Sequence, residues 1–296
     1  MTQAVSRAGY VGLVGRPNVG KSTLLNRLVG QKISITSRRP QTTRHRVLGI
    51  LTTASEQFVF VDTPGIQRRH GGELNRRLNR AVAQAFETMD AVVVVIEPPR
   101  LQAQDRQIVA EVPAALPAVL AVNKVDTIKD KTALLPLMQE ASALRAWHAI
   151  VPVSARTGLG SDELLAALAP LLPEGEPLYP EDEITDRSER QLAAELVREK
   201  LFRLLGEEVP YATAVQIDRF VQEGALRRIH ATILVDKPGQ KAIVIGKGGS
   251  KLKEVGTQAR LDMERLFGGK VHLELWVKVR EGWAEDPALL TQLGYD

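Results

Sequence analysis

The stretch "GRPNVGKST", Gly15 to Thr23, sits directly after the apolar run "YVGLV" and directly before the helix pattern "STLLNRLVG". Its spacing is Gly15-x4-Gly20-Lys21-Ser22, and a strand leading in and a helix leading out are the context that a phosphate-binding loop needs. Glycines let backbone N–H groups close on phosphate oxygens, and the helix N-terminus favours negative charge. Lys21 reaches the terminal phosphates, and Ser22 supplies a hydroxyl to a magnesium ion. Gly15, Arg16, Pro17, Asn18, Val19, Gly20, Lys21, Ser22 and Thr23 are therefore the expected phosphate-binding set.

Further apolar, β-rich runs follow: "QFVFVDTPG", "AVVVVIEP", "AVLAVNKVD" and "AIVPVSA", alternating with helix-patterned stretches. This is the pattern of an α/β domain with a largely parallel sheet, expected over residues 1–175. Proline, glycine and acids crowd into "PLLPEGEPLYPEDEITD", and residues 176–186 are expected to be a linker. Residues 187–296 then give a helix pattern ("RQLAAELVREKLFRLL"), two strand-like runs ("ATAVQIDRF", "RRIHATILV"), a second glycine loop between two helices, and a last strand, "KVHLELWVKV". In that strand Val271, Leu273, Leu275, Val277 and Val279 alternate with His272, Glu274, Trp276 and Lys278.

Composition bounds the classes. The 296 residues are 44% hydrophobic and 25% charged, with no cysteine, which excludes disulfides and thiolate metal sites. The apolar runs are far shorter than the roughly 18 residues of a membrane span. The N-terminus lacks the basic segment and apolar core of a signal peptide, so a cytoplasmic location is expected. Residues 1–175 hold 21 Lys+Arg against 14 Asp+Glu, a net +7, and residues 176–296 hold 18 against 21, a net −3. Within that acidic half, Arg227 to Lys270 carries 10 basic and 4 acidic residues, a net +6 around the second glycine loop, where a polyanion would dock.

The nucleotide base is read from "NKVD". Asn123, Lys124, Val125 and Asp126 follow the strand "AVLAV", at the edge where ligands of such sheets bind. A carboxylate at Asp126 accepts from the N1–H and exocyclic amine of guanine, whereas adenine has an acceptor at N1 and leaves the charge unpaired. Ser154 and Ala155 of "VSA" follow the next strand, with the Ala155 N–H expected at guanine O6. "DTPG" supplies Asp62, Thr63, Pro64 and Gly65, with Asp62 holding magnesium through water and the Gly65 N–H bonding the γ-phosphate. Either Thr42 or Thr43 completes the magnesium shell in the triphosphate state, and Thr43 is the expected one. Ile66 stands where many GTPases carry a water-orienting glutamine. Asn18 is a candidate ligand for a monovalent cation beside the phosphates, and stabilisation of the loop turn is the equally weighted alternative. Lys21, Thr43, Gly65 and Asn18 are the candidate catalytic set.

The second loop, Gly246-Lys247-Gly248-Gly249, is a GxxG between two helices in the order helix, strand, strand, helix, helix, strand of a type II KH fold. Such glycines let a single strand's backbone approach while bases are read by their edges in an adjacent groove. With Lys247, Lys251 and Lys253 beside it, this is the expected RNA site. Few aromatics lie nearby, so backbone and edge contacts are expected to outweigh stacking.

The ordered set "GRPNVGKST", "QTTRH", "DTPG", "NKVD" and "VSA" resembles the translation-factor class of P-loop GTPases, and within it the TrmE-Era-EngA-like GTPases. "KISITSRRPQTTRHRVLGI", "LNRRLNRAV", "REKLFRLLGEEVPYATAVQIDRF", "IVIGKGGSKLKEVG" and "VKVREGW" extend the likeness to the Era family over nearly the whole chain. Pro40 and "RRHGGE" depart from it, in variable stretches. The resemblance implies a bacterial GTPase of ribosome biogenesis that uses GTP, GDP and Mg2+ and binds the 3′ region of 16S rRNA through its KH domain in 30S subunit assembly. It also implies hydrolysis without a side chain at Ile66 and, by way of Asn18, use of K+. A monomer is expected. Two other classes stand beside this one: an RNA-binding assembly scaffold with a slow, mainly structural GTPase domain, and a GTPase peripheral to the inner membrane, suggested by the basic first domain.

Overall fold

The computed structural model describes residues 6–37, 46–62, 86–206 and 208–294. The described residues group into two units, one of residues 6–34, 46–62 and 86–186, the other of residues 35–37 and 187–294.

In the first unit, β1 (Arg7–Val14), β2 (Val47–Thr52), β3 (Glu56–Asp62), β4 (Ala91–Ile96), β5 (Ala118–Val122) and β6 (Ala149–Pro152) form one sheet in the order β2-β3-β1-β4-β5-β6. All neighbours are parallel except β2, which runs antiparallel to β3 at the edge. Its segment, "VLGILT", was outside the expected strands. No residue of β4 is more than 1% exposed, because helices cover both faces. Ala91, Val93 and Val95 pack with α1 (Lys21–Val29) and α4 (Ser161–Leu168). Val92, Val94 and Ile96 pack with α2 (Ala103–Glu111) and α3 (Leu134–Ser142). The motifs read from the sequence leave the carboxyl ends of β1, β3, β5 and β6.

Residues 176–186, the expected linker, group with the first unit. Gln57 is fully buried in β3, and its amide reaches across to this segment. Oε1 accepts from the N–H groups of Leu178 (2.7 Å) and Tyr179 (2.9 Å), while Nε2 donates to the Tyr179 carbonyl at 2.8 Å. The Ile50 N–H donates to the Ile184 carbonyl at 2.9 Å. The Tyr179 phenol, pushed up to about 12 first by its hydrogen bond with Tyr10, lies 3.4 Å from that hydroxyl. Prolines forbid regular structure but leave the neighbouring N–H groups free for a buried amide.

The second unit runs α5 (Glu189–Leu204), β7 (Thr213–Glu223), β8 (Leu226–Val235), α6 (Pro238–Ile245), α7 (Ser250–Phe267), β9 (Lys270–Val279) and α8 (Pro287–Gln292). Its sheet order is β7-β8-β9, antiparallel then parallel. The strands run further than their apolar runs suggested, so "VQEGAL" shrinks to a two-residue turn, Gly224–Ala225. Ile229, Ala231, Ile233 and Val235 of β8 pack with Val197 and Leu201 of α5 and Val255, Ala259 and Met263 of α7.

Beyond β9, Trp283 is 1% exposed and packs with Ala214, Leu234, Leu289 and Leu290. Its indole N–H donates to the Ala212 carbonyl at 3.0 Å. Trp283→Ala is expected to lower the unfolding free energy by about 3–5 kcal/mol, as for other buried aromatics. Urea denaturation checks this, and a loss below about 0.5 kcal/mol, the usual range of surface substitutions, would remove the tail from the fold's core.

Candidate nucleotide and RNA sites

The phosphate loop is held open by its backbone and pinned from behind. Gly20 precedes α1 at φ 102°, and a Cβ there would lie 2.3 Å from Asn123 Nδ2, so no side chain fits. That Nδ2 donates to the Val19 carbonyl at 2.7 Å. Asn123 Oδ1 in turn accepts from the Ala155 N–H at 3.0 Å. One amide, 2% exposed, thus ties the phosphate loop to both base loops. The Ala155 N–H, expected to face guanine O6, is engaged by Asn123, as a buried N–H must be engaged by some acceptor. Lys21 Nζ donates to the Gly15 carbonyl at 2.7 Å and the Arg16 carbonyl at 3.1 Å. Burial pushes its ammonium below the usual lysine range, with Asp62 opposing and Arg16 reinforcing the shift. Phosphate oxygens there would offset that burial cost.

Asp62 ends β3 fully buried. Its Oδ2 accepts from the Ser22 hydroxyl at 2.7 Å and the Ser34 hydroxyl at 3.2 Å. Ser34 had no sequence signature, and it is placed by Asn26 of α1. Asn26 Oδ1 accepts from the N–H groups of Ile33 (3.0 Å) and Ser34 (2.9 Å), and its Nδ2 donates to the Ser34 carbonyl at 2.8 Å. One carboxylate and two hydroxyls are hard oxygen donors that fit Mg2+, which is ordinarily held by one or two protein groups, water and substrate phosphates. Accordingly, among the described residues no cluster of three or more His, Cys, Asp or Glu could hold a metal alone. Thr42, Thr43, Thr63, Pro64, Gly65 and Ile66 lie outside the described residues.

At the base end, Asp126 Oδ1 accepts from the Ser154 hydroxyl at 2.7 Å, and Oδ2 lies 2.5 Å from the Arg156 guanidinium. The Ser154 bond first, and Arg156 after it, hold the Asp126 carboxyl below its ordinary range, so it is an ionised acceptor at neutral pH. Arg156 was not expected from the sequence. Its side chain is 76% exposed, so it yields Oδ2 at little cost. Arg27 of α1 braces this loop by donating to the carbonyls of Ala155 (3.2 Å) and Arg156 (2.6 Å). Val125 is buried, and Lys124 adopts φ 62° with its Nζ donating to the Asn18 carbonyl at 2.6 Å.

In the second unit the GxxG loop joins α6 to α7. A Cβ on Gly246 would meet Lys251 Cγ at 2.7 Å, so this glycine serves a close approach within the loop. Gly248 sits at φ 59° with open space where its Cβ would be. Beside the loop lies a groove of about 380 Å³ lined by Gly249, Leu252, Lys253, Gly256, Thr257, Arg260, Leu273 and Leu275. Among the described residues, no aromatic side chain lines it. Leu273 and Leu275 form part of its wall, and for that reason they are only partly buried although they occupy the inward face of β9. Lys253 lines the groove, Lys251 pairs with Glu254 at 3.5 Å, and Lys247 is exposed in the loop. Thr257 and Arg260 were missed, yet the spacing 253, 257, 260 marks one face of a helix and would have found them.

Two family models match the chain: "50S ribosome-binding GTPase" over residues 10–124 and "KH domain" over residues 208–284. GTPase Era of Nitrosomonas eutropha is 54% identical over 296 residues, covering all of both chains. GTPase Era of Xanthomonas oryzae is 55% identical over 299 residues, covering 100% of this chain and 99% of the relative. Among solved structures, a substituted Era of Aquifex aeolicus bound to GDP·AlF4− is 41% identical, with a TM-score of 0.93 over 98% of this chain and 99% of that one. Era in complex with MgGDPNP and nucleotides 1506–1542 of 16S ribosomal RNA matches at 40% identity, also with a TM-score of 0.93 over 98% and 99%.

Proposed function

The chain belongs to the Era family of GTPases, and from that membership we propose that it is a GTP-driven switch that binds the 3′ region of 16S rRNA through its KH domain during 30S subunit assembly. The observation that carries this reading is the coexistence of two complete glycine loops, one poised for a nucleotide and one for a strand, in a chain similar from end to end to an Era bound to both. GTP is the substrate, and GDP and phosphate are the products. Asp126 recognises the base, Lys21 and the N–H groups of the phosphate loop hold the phosphates, and Ser22, Asp62 (through water) and Thr43 would hold Mg2+. When bound, that ion would supply positive charge to the phosphates. Ile66 has a side chain that cannot hydrogen-bond, so either hydrolysis is slow or another group positions the attacking water, and Asn18 is the candidate.

Among the described residues no helix is long and apolar enough to cross a membrane. We place the protein as a monomer with its rRNA in the cytoplasm. Flotation with liposomes, with and without rRNA, tests any peripheral membrane association.

Asn18 is the proposed potassium ligand. It sits at φ 66° inside the phosphate loop, a conformation for which asparagine is favoured over most residues. A fixed cation beside the bridging oxygen offsets the charge that develops as the β,γ bond breaks. Hydrolysis is expected to rise when K+ replaces Na+, and Asn18→Ala is expected to abolish the difference. Equal parent rates in the two salts would sink the cation role. The function as a whole is tested by titrating a 16S rRNA 3′ fragment with the protein loaded with GDP or a non-hydrolysable GTP analogue. Tighter binding with the analogue supports the switch, whereas equal binding supports the scaffold reading.

A further inference from the structure

Glu97 leaves the end of β4 between the phosphate loop and the base loop. Its Oε1 accepts from the Arg16 guanidinium at 2.7 Å, and its Oε2 pairs with the Lys124 ammonium. One carboxylate therefore has an oxygen on each loop. Both cations are held a second time. Arg16 Nε reaches Asp105 Oδ1 and Oδ2 at 3.1 and 3.2 Å, and Lys124 Nζ reaches the Asn18 carbonyl at 2.6 Å. Asp105, 1% exposed, also accepts from the Gln102 N–H at 2.9 Å, which fixes it to the start of α2. Burial raises its carboxyl above the ordinary range, and Arg16 works against that shift.

The two residues joined by the Lys124–Asn18 bond are also the two non-glycine residues with positive φ among the described residues, at 62° and 66°. Such conformations persist where surrounding contacts over-determine them. Glu97 supplies one of those contacts, and its own oxygens face the two loop cations. A binding site whose subsites are already correctly spaced loses less freedom on binding.

Resting on the guanine-nucleotide reading above, we infer that Glu97 is a positioning residue that sets the spacing between the phosphate loop and the base loop, so that affinity for the whole nucleotide depends on it. Glu97→Gln tests this, because an amide has one acceptor oxygen and one NH2, and the NH2 cannot accept from a cation. One of the two ties must break while size is kept. The expected result is a KM for GTP and a GDP dissociation rate that each rise at least tenfold, with kcat changed less than twofold. The melting temperature without nucleotide stays near that of the parent. Arg16→Ala, which leaves the Lys124 tie intact, should raise KM less than Glu97→Gln. The inference is overturned if Glu97→Gln binds GDP and GTP as tightly as the parent, or if kcat and melting temperature fall with KM unchanged, the signature of general destabilisation. Failure of the parent chain itself to bind guanine nucleotides would instead overturn the functional reading.

Discussion

Replacing Gly248 with Asp is expected to abolish RNA binding and leave GTP binding intact. The site of the change has open space for a Cβ, and φ 59° is a conformation that aspartate tolerates better than most side chains. The variant should therefore fold, which separates loss of binding from loss of structure. What the new side chain obstructs is the approach of a sugar-phosphate backbone, and its charge faces phosphates. Like-charge juxtaposition at an interface costs several kcal/mol, or roughly a hundredfold or more in affinity. Filter binding to a single-stranded 16S fragment, alongside a GDP titration, measures both halves of the expectation. Lys247→Ala, the milder change, should weaken all sequences alike and reduce the salt-dependence slope by roughly 0.7, the single-strand value per phosphate contact. If Gly248→Asp bound the fragment as tightly as the parent, the loop would be a turn and the RNA site would lie elsewhere.

Asp126→Asn is expected to move base preference from guanine to xanthine. In the structure both carboxylate oxygens are engaged by donors, Ser154 on one and Arg156 on the other, which is the electrostatic setting of a group that meets N–H donors. The amide replaces one acceptor with a donor, and xanthine has a carbonyl where guanine has its amine. A hydrogen bond to a charged group contributes about 1.5–3 kcal/mol, so losing one acceptor should weaken GTP by roughly 10–10²-fold. Competition between GTP and XTP for the variant checks it. A variant that still chose GTP would take Asp126 away from the base.

The strongest chemistry was legible in the sequence because it depends on local geometry. Gly15 to Thr23 needs only a strand before it and a helix after it, and both are there. The type II KH order could likewise be read from periodicity, since β9 and α7 keep their apolar repeats. What escaped depends on contacts far apart in the chain. Glu97 and Asp105 belong to no motif, and their role exists only because β1, β4 and β5 lie side by side and bring Arg16 and Lys124 to them. The contacts of segment 176–186 escaped for the same reason. Its prolines and acids describe a chain without regular structure, and they are silent about a buried amide 121 residues upstream of Leu178 that captures its backbone. Gln57 did carry a signal, as a polar residue at the start of the apolar run "QFVFV", and it is fully buried. A lone glutamine in a strand facing the core has to satisfy both its donors and its acceptor, and here it does so on this segment.

In the proposed switch, nucleotide state in one loop governs RNA capture by the other. This is tested most directly by crosslinking the whole protein to total cellular RNA with a non-hydrolysable GTP analogue or with GDP, then sequencing the bound fragments. Reads are expected to concentrate at the 3′ end of 16S rRNA with the analogue and to be strongly reduced with GDP. Reads spread over unrelated RNAs, or the same 16S signal in both nucleotide states, would contradict it.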